Sequence, residues 1–409
     1  MFICPGKTPE SNFFMSNHSD LNFENTSVAF SHKTDKDLKK SHFLFSVMDL
    51  NLLVKLGSIF IKGALALKLP VRGLIRNNLF NHFCGGESID DSEKTIQLLG
   101  GYHIGTILDY AVEGEKSEKG FEHTASEIIK TIYRAKKDRN IPFCVFKPTG
   151  LASIDLLEKI QLGKELSPEE QSLFARTRER WDKVCRIAYE NHVKIFIDSE
   201  DSFIQDPVDN MLNGLMKKYN KDQAIVFNTY QMYRVGMLDH LRKDYDLAVK
   251  DGYCLGAKLV RGAYMEKERE RARQQGYPDP ILPDKNSTDE SYDAALEFCI
   301  EHIDRIAVCS GSHNENSNYL LARLMKQKGL NNNDERVYFA QLFGMSDHIS
   351  FNLAASEYHV IKYVPYGPVE AVVPYLLRRA EENTSIAGQS SREFLLIKKE
   401  IRRRQTSAA

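Results

Sequence analysis

The sequence predicts an α/β fold, a closed (βα)8 TIM-type barrel with an N-terminal helical segment. Eight short apolar or β-branched runs follow one another from Ile104 to Gly367, and charged segments of helical periodicity separate them. Near-continuous apolar strands alternating with helices signal a parallel sheet. Eight such units over roughly 280 residues match the strand count and size of a closed barrel. An open doubly wound sheet would normally carry G-x-G-x-x-G after its first strand. That pattern occurs nowhere in the chain, so the barrel is preferred.

Residues 1–40 are polar and rich in Asn, Ser and Lys. Residues 41–98 read as helical, broken at Gly85-Gly86. The most apolar stretch, Phe43–Val71, is interrupted by Asp49, Lys55, Lys62 and Lys68, so it lacks the ~18 uncharged residues of a spanning helix. It reads as amphipathic helix that packs on the main domain or lies on a membrane surface. The barrel is expected over residues 99–390. Its strand runs are Ile104–Val112, Pro142–Thr149, Val193–Glu200, Ala224–Gln231, Leu255–Tyr264, Arg305–His313, Arg336–Gly344 and Val360–Gly367. Ser167–Asn191 and Asp284–Ile303 are the clearest helices between them, and residues 391–409 form a basic C-terminal tail.

Lys and Arg number 55 against 56 Asp and Glu. That balance argues against nucleic-acid binding, which uses clustered excess cations. The chain is 42% hydrophobic and 27% charged, the composition of a globular chain long enough to fold without a metal or disulfide staple. Seven scattered cysteines without C-x-x-C fit a reducing compartment. Met1–Asn17 lacks both the apolar core of a secretory signal and the arginines of a transit peptide. A cytoplasmic location is expected, with peripheral contact at the inner face of a membrane.

In a barrel of this kind the site lies at the C-terminal ends of the strands. The polar residues there are Lys147, then Asp198 and Glu200, then Asn228 and Gln231. Lys258, Arg261 and Tyr264 follow, then Ser312-His313-Asn314, Gln341 and Tyr363. Seven of eight strands thus converge with charged or hydrogen-bonding groups. The helix after strand 8 reads VEAVVPYLLRRAEEN, Val369–Asn383. Its Tyr375, Arg378, Arg379 and Glu382 recur at spacings of three and four and share a face. Two adjacent guanidiniums repel unless an anion lies between them, and their planar forks suit a carboxylate. A carboxylate substrate is inferred from charge alone. No H-E-x-x-H, G-x-S-x-G or P-loop is present, so metal, nucleophile and nucleotide chemistry have no motif here. A polar barrel mouth of this kind often borrows its chemistry from an organic cofactor.

The runs KLVRGAY (Lys258–Tyr264), SHN (Ser312–Asn314), FAQLFGM (Phe339–Met345), YVPYG (Tyr363–Gly367) and YLLRRAEEN (Tyr375–Asn383) resemble the flavin-dependent proline dehydrogenase family. LDYAVEGE (Leu108–Glu115) and IDSE (Ile197–Glu200) fit it too. The resemblance implies a distorted (βα)8 barrel with helix 8 over its mouth. It implies noncovalent FAD, and L-proline oxidised by hydride transfer to flavin N5 to give Δ1-pyrroline-5-carboxylate. Reoxidation falls to a membrane quinone. The chain is too short for the bifunctional form, so the product is expected to pass to a separate pyrroline-5-carboxylate dehydrogenase.

Carried over by motif, Arg378, Arg379 and Lys147 hold the substrate carboxylate, and Glu382 orients the arginine pair. Tyr363, Tyr375, Tyr264 and Leu342 wall the ring. Asp198 and Lys258 stand at positions treated as catalytic. FAD contacts fall on Asn228, Lys258, Arg261, Gly262, Ala263, Ser312 and His313. The chain departs from bacterial relatives at Asn228, usually Gln. It departs also in the order Lys258…Arg261, usually Arg…Lys, and at Met265, usually aromatic. A hydroxyproline dehydrogenase is the related alternative, and Tyr375 in place of Ser favours proline. A non-catalytic barrel is the alternative from another class, and the intact Lys147, Asp198, Arg378 and Arg379 set argues against it.

Overall fold

The computed structural model describes residues 21–48, 72–111, 116–385 and 389–408. Met1–Asn17, the whole amphipathic stretch Leu50–Leu69 with its near flanks, and the end of the LDYAVEGE run lie outside the described residues. Ahead of the barrel stand α1 (Asp35–Met48) and α2 (Glu93–Gly100). The alternation then begins: β1 (Ile104–Tyr110), α3 (Glu118–Lys136), β2 (Phe143–Phe146), α4 (Pro168–Glu190), β3 (Lys194–Ile197), α5 (Gln205–Tyr219), β4 (Val226–Gln231) and α6 (Met237–Asp251). It continues with β5 (Leu255–Val260), α7 (Met265–Gln275), α8 (Lys285–Glu301), β6 (Ile306–Gly311), α9 (Glu315–Gln327), β7 (Val337–Leu342), α10 (Asp347–Ala355), β8 (Val360–Tyr366) and α11 (Val369–Ser385). A last helix, α12, spans Gln389–Ala408. Every strand falls inside the run expected for it. The eight pair in chain order, all parallel, and β1 closes on β8 with Ile107 opposite Tyr363.

Helix starts follow the local chemistry. The Ser167 side chain accepts from Glu170 N while Glu170 bonds back to Ser167 N, and Pro168 occupies the first turn of α4. Asn314 of the SHN run opens α9, accepting from Ser317 N. Inside the barrel Phe143 and Phe196 stack at 4.2 Å, with Phe227 and Tyr338 edge-on to Phe143. This aromatic layer plugs the barrel's lower half, so any site must lie above it, toward the strands' C-terminal ends.

Two peripheral clusters set the cover over that end. Phe80 and Phe83, ahead of the barrel, pack with Val372, Tyr375 and Leu376 of α11 and with Ala111 and Met345 beyond β1 and β7. Helix α11 is thereby held across the strand ends. Phe30, Leu38 and Phe45 pack with Leu396 and Ile397 of α12. The residues expected to form a basic tail are therefore a docked helix, because its apolar side completes this cluster. Its cations are largely engaged: Lys399 pairs with Glu24, and Arg403 and Arg404 with Glu400. Helix α1 likewise runs through the expected boundary at residue 40. None of the described helices is long and apolar enough to cross a membrane.

Candidate active site

Strand parity decides which side chains reach the mouth. On β3, β5 and β8 the alternation that buries Phe196 in the barrel also turns Asp198, Lys258 and Tyr363 inward, one layer above the aromatic plug. Lys258 Nζ lies 2.5 Å from both Asp198 Oδ1 and the Tyr363 hydroxyl, and that hydroxyl is 3.3 Å from the same carboxylate oxygen. The ammonium also sits 4.4 Å from the Tyr363 ring centroid, a favourable placement over an aromatic face. Burial and the Asp198 charge push the Tyr363 hydroxyl well above its usual range, so it stays protonated and can donate. Lys147, just past β2, pairs with Asp109 of β1 at 3.4 Å. Five strands therefore supply two cations, two carboxylates and a phenol to one layer.

The roof is cationic. On α11, Tyr375 and Arg379 are buried, the guanidinium carbon lies 5.2 Å from the Tyr375 ring centroid, and Arg378 is half-buried beside them. Leu342, the last residue of β7, packs against both the barrel interior and the α11 cluster, where a ring-walling residue would stand. Tyr264 is half-buried at the residue just before α7. The side chain of Glu382 lies outside the described residues.

The flank beyond β5 and β6 is built around Arg261. Its nitrogens donate to Asp289 Oδ1 at 2.7 Å, Ser312 Oγ at 2.8 Å and Ser317 Oγ at 2.9 Å, and it stacks 4.3 Å over Tyr292. The fork thus ties β5 to α8, to the end of β6 and to α9. Next to it Gly262 has φ 137°, and a Cβ there would come within 2.4 Å of the Tyr233 ring. Only glycine fits that conformation and approach. Gly262 and Ala263 leave their backbone exposed. His313 Nδ1 lies 2.8 Å from Ser346 Oγ. Burial and the nearby cations Lys362 and Arg379 lower its pKa to about 3, so the ring is neutral.

One expected contact is corrected. Asn228 does not face the mouth: its amide nitrogen donates to Asp209 of α5 at 2.9 Å, and its oxygen accepts from Thr229 N. On β4 the inward-facing residues are Phe227, Thr229 and Gln231, so Asn228 has the wrong parity. Gln231, whose sequence position marks it only as a strand-end residue, is buried at the mouth. It donates to Glu200 O at 3.0 Å, and its Oε1 has no partner among the described residues. Counting by twos from Phe227 would have found it. Asp109 escaped notice because the run around it reads as continuous strand. Glu200, at the end of β3, accepts from Thr149 N and Oγ1 at 2.8 Å, and burial pushes its pKa up to about 7.

Comparison with known proteins agrees with this geometry. The proline dehydrogenase family model matches residues 92–392. A Dictyostelium discoideum protein named proline dehydrogenase 1, mitochondrial, is 34% identical over 95% of this chain and 76% of its own. The carbapenem antibiotics biosynthesis protein CarD of Pectobacterium carotovorum is also 34% identical, over 79% of this chain and 83% of its own. Among solved structures, proline utilization A from Bdellovibrio bacteriovorus, inactivated by N-propargylglycine, superposes with TM-score 0.69. That match is 21% identical and covers 88% of this chain and 38% of the other, a likeness of fold. The family model spans most of the chain, and a relative above 30% identity runs nearly its whole length; the chain belongs to the proline dehydrogenase family.

Proposed function

We propose that the protein oxidises L-proline to Δ1-pyrroline-5-carboxylate, with noncovalent FAD as the hydride acceptor and a membrane quinone as the final oxidant. The observation that carries this reading is the juxtaposition of a cationic roof, Arg378 and Arg379, with the buried Lys258–Asp198–Tyr363 floor. Cations on the roof and aromatic and aliphatic walls below suit a small anion with an apolar ring. The residues also suit a flavin. The exposed Gly262-Ala263 backbone permits close approach, and the buried Gln231 Oε1 can accept a bond. Lys258, Arg261, Gly262, Ala263, Ser312, His313 and Gln231 would hold it, whereas Asn228 supports β4 from behind. When bound, FAD supplies the electron sink that no side chain of this site offers.

The chain's own residues do the rest. Arg378, Arg379 and Lys147 fix the substrate carboxylate, and their charge disfavours the protonated amine beside them. The nitrogen lone pair, needed to expel hydride from the adjacent carbon, is thereby made available. Tyr363, Tyr375, Tyr264 and Leu342 would restrict the ring to one orientation, which lowers the entropic part of the barrier. Asp198 accepts from the Lys258 ammonium and holds it in place. The product is a substrate for a pyrroline-5-carboxylate dehydrogenase. Membrane contact is peripheral, with Lys398 and Arg402 exposed on α12 for an anionic surface. Purified protein is expected to be yellow, to release FAD on denaturation without protease, and to bleach anaerobically on adding proline. A colourless, flavin-free protein that oxidises proline with NAD would overturn the reading.

A further inference from the structure

The C-terminal helix reaches the flavin flank through a buried relay. Glu393 of α12 is 3% exposed, and its Oε2 accepts from Ser346 N at 2.9 Å. Ser346 sits in the turn between β7 and α10 with φ 51° and ψ 44°, a left-handed conformation that side chains other than glycine's rarely adopt. Its Oγ is the group 2.8 Å from His313 Nδ1. Ser350 Oγ bonds the Ser346 carbonyl, and the Ser350 hydroxyl also donates to Gln341 Oε1 at 2.9 Å. Such a backbone conformation persists where surrounding contacts over-determine it, and it clusters at functional sites.

We infer that Glu393 is a positioning residue: by holding Ser346 N it keeps the left-handed turn closed, and Ser346 Oγ then fixes the ring of His313 toward the flavin. This inference rests on the flavin reading above. It makes α12 part of the cofactor site although the helix lies outside the barrel. A carboxylate at this place is costly, since burial and Asp347 next to Ser346 both raise the Glu393 pKa. Packing alone would be better served by an apolar side chain. The rest of α12 is anchored elsewhere, through Arg392 to Glu315 and Glu24 and through Leu396 and Ile397 to α1. Glu393 is therefore not needed to hold the helix down.

The test is FAD affinity of the full chain, measured by titrating apoprotein and following flavin fluorescence, with the visible circular dichroism of the bound flavin as a second readout. Glu393→Ala is expected to weaken FAD at least tenfold and to alter the dichroism. Glu393→Gln keeps an acceptor for Ser346 N and should bind within threefold of the parent. Ser346→Ala leaves the Glu393 bond intact but removes the hydroxyl, and should weaken FAD comparably; it carries the test if Glu393→Ala does not fold. In the double variant the two losses should not add, as expected for one chain of contacts. Ile397→Ala, a core change on the same helix, should lower Tm while FAD binds within twofold of the parent. The relay is overturned if Ser346→Ala binds FAD like the parent, if the losses add, or if Ile397→Ala weakens FAD as much as Glu393→Ala. A parent that binds no FAD would overturn the flavin reading, and the relay with it.

Discussion

Two lysines point into the same barrel from opposite ends, and each sits over a tyrosine. At the bottom, Lys194 opens β3, with its ammonium 4.7 Å from the Tyr338 ring centroid. It donates to Glu335 O at 3.0 Å and to the Tyr338 hydroxyl at 3.2 Å, and burial lowers its pKa. Near the mouth, Lys258 has the same aromatic seat and tyrosine hydroxyl but adds Asp198 at 2.5 Å. The bottom lysine is satisfied by neutral groups and plugs a hole. The mouth lysine is locked to a carboxylate in a layer that also holds Lys147, Asp109 and Gln231. Charge kept under cover at a strand's C-terminal end marks the working face, and a neutral-capped lysine marks the structural one.

The comparison breaks most sharply at Lys258. Replacing it with Met strands the Asp198 carboxylate in a buried layer, and breaking such a pair costs about 3–5 kcal/mol. Urea unfolding of Lys258→Met should show a loss of that size, together with near-complete loss of proline-dependent dye reduction. Parental stability in this variant would mean that the pair does not hold the mouth together.

Glu200 gives the mouth a pH signature of its own between pH 4.5 and 7. Its pKa is raised from 4.5 to about 7, chiefly by burial and in smaller part by Asp201, against the pull of Thr149 and Lys147. Between pH 4.5 and 7 the folded protein therefore keeps a proton that the unfolded chain has released. Its contribution to stability is complete below pH 4.5 and fades as pH rises through 7. At 1.36 kcal/mol per pKa unit, and discounting for the group's partial exposure, the fade is about 1–3 kcal/mol. Glu200→Gln should flatten that part of the stability–pH curve, read from urea midpoints between pH 4.5 and 8. An unchanged slope would remove Glu200 as its source.

On the roof, Arg379→Met should raise KM for proline about 10–150-fold while FAD stays bound, since a charged hydrogen bond in a dry site is worth roughly 1.5–3 kcal/mol. Arg378→Met should do the same or less, because it is the more exposed of the two. Parental KM in both would place the carboxylate elsewhere.

Much of this was legible because barrels write their plan locally. The eight apolar runs fixed the strands, and the spacing of Tyr375, Arg378 and Arg379 fixed the roof's charged face. What escaped was parity and reach. Asn228 and Gln231 both stand near the end of β4, and composition does not say which turns inward; the pairing of Thr229 with Lys258 does. The docking of α12 was hidden for a different reason. Lys398–Arg404 looks like a free basic tail until Glu24, Asp35 and Glu400 are brought beside it, and two of those partners lie more than 350 residues away in sequence. Long-range partners of surface charges leave no periodic trace.

The smallest effect is expected at the bottom of the barrel, where it tests the other half of the comparison. Lys194→Met removes two hydrogen bonds to neutral acceptors, each worth about 1 kcal/mol net. It also removes the desolvation of an ammonium that has no ion pair among the described residues, and it places a flexible apolar chain against Phe143 and Tyr338. These terms oppose one another, so stability should stay within about 1 kcal/mol of the parent. KM for proline and FAD affinity should not change, because the plug of Phe143, Phe196 and Phe227 separates Lys194 from the mouth layer. If this variant lost turnover as Lys258→Met does, the two ends would be coupled through the aromatic layer, and the division between working and structural faces would fail at its simplest point.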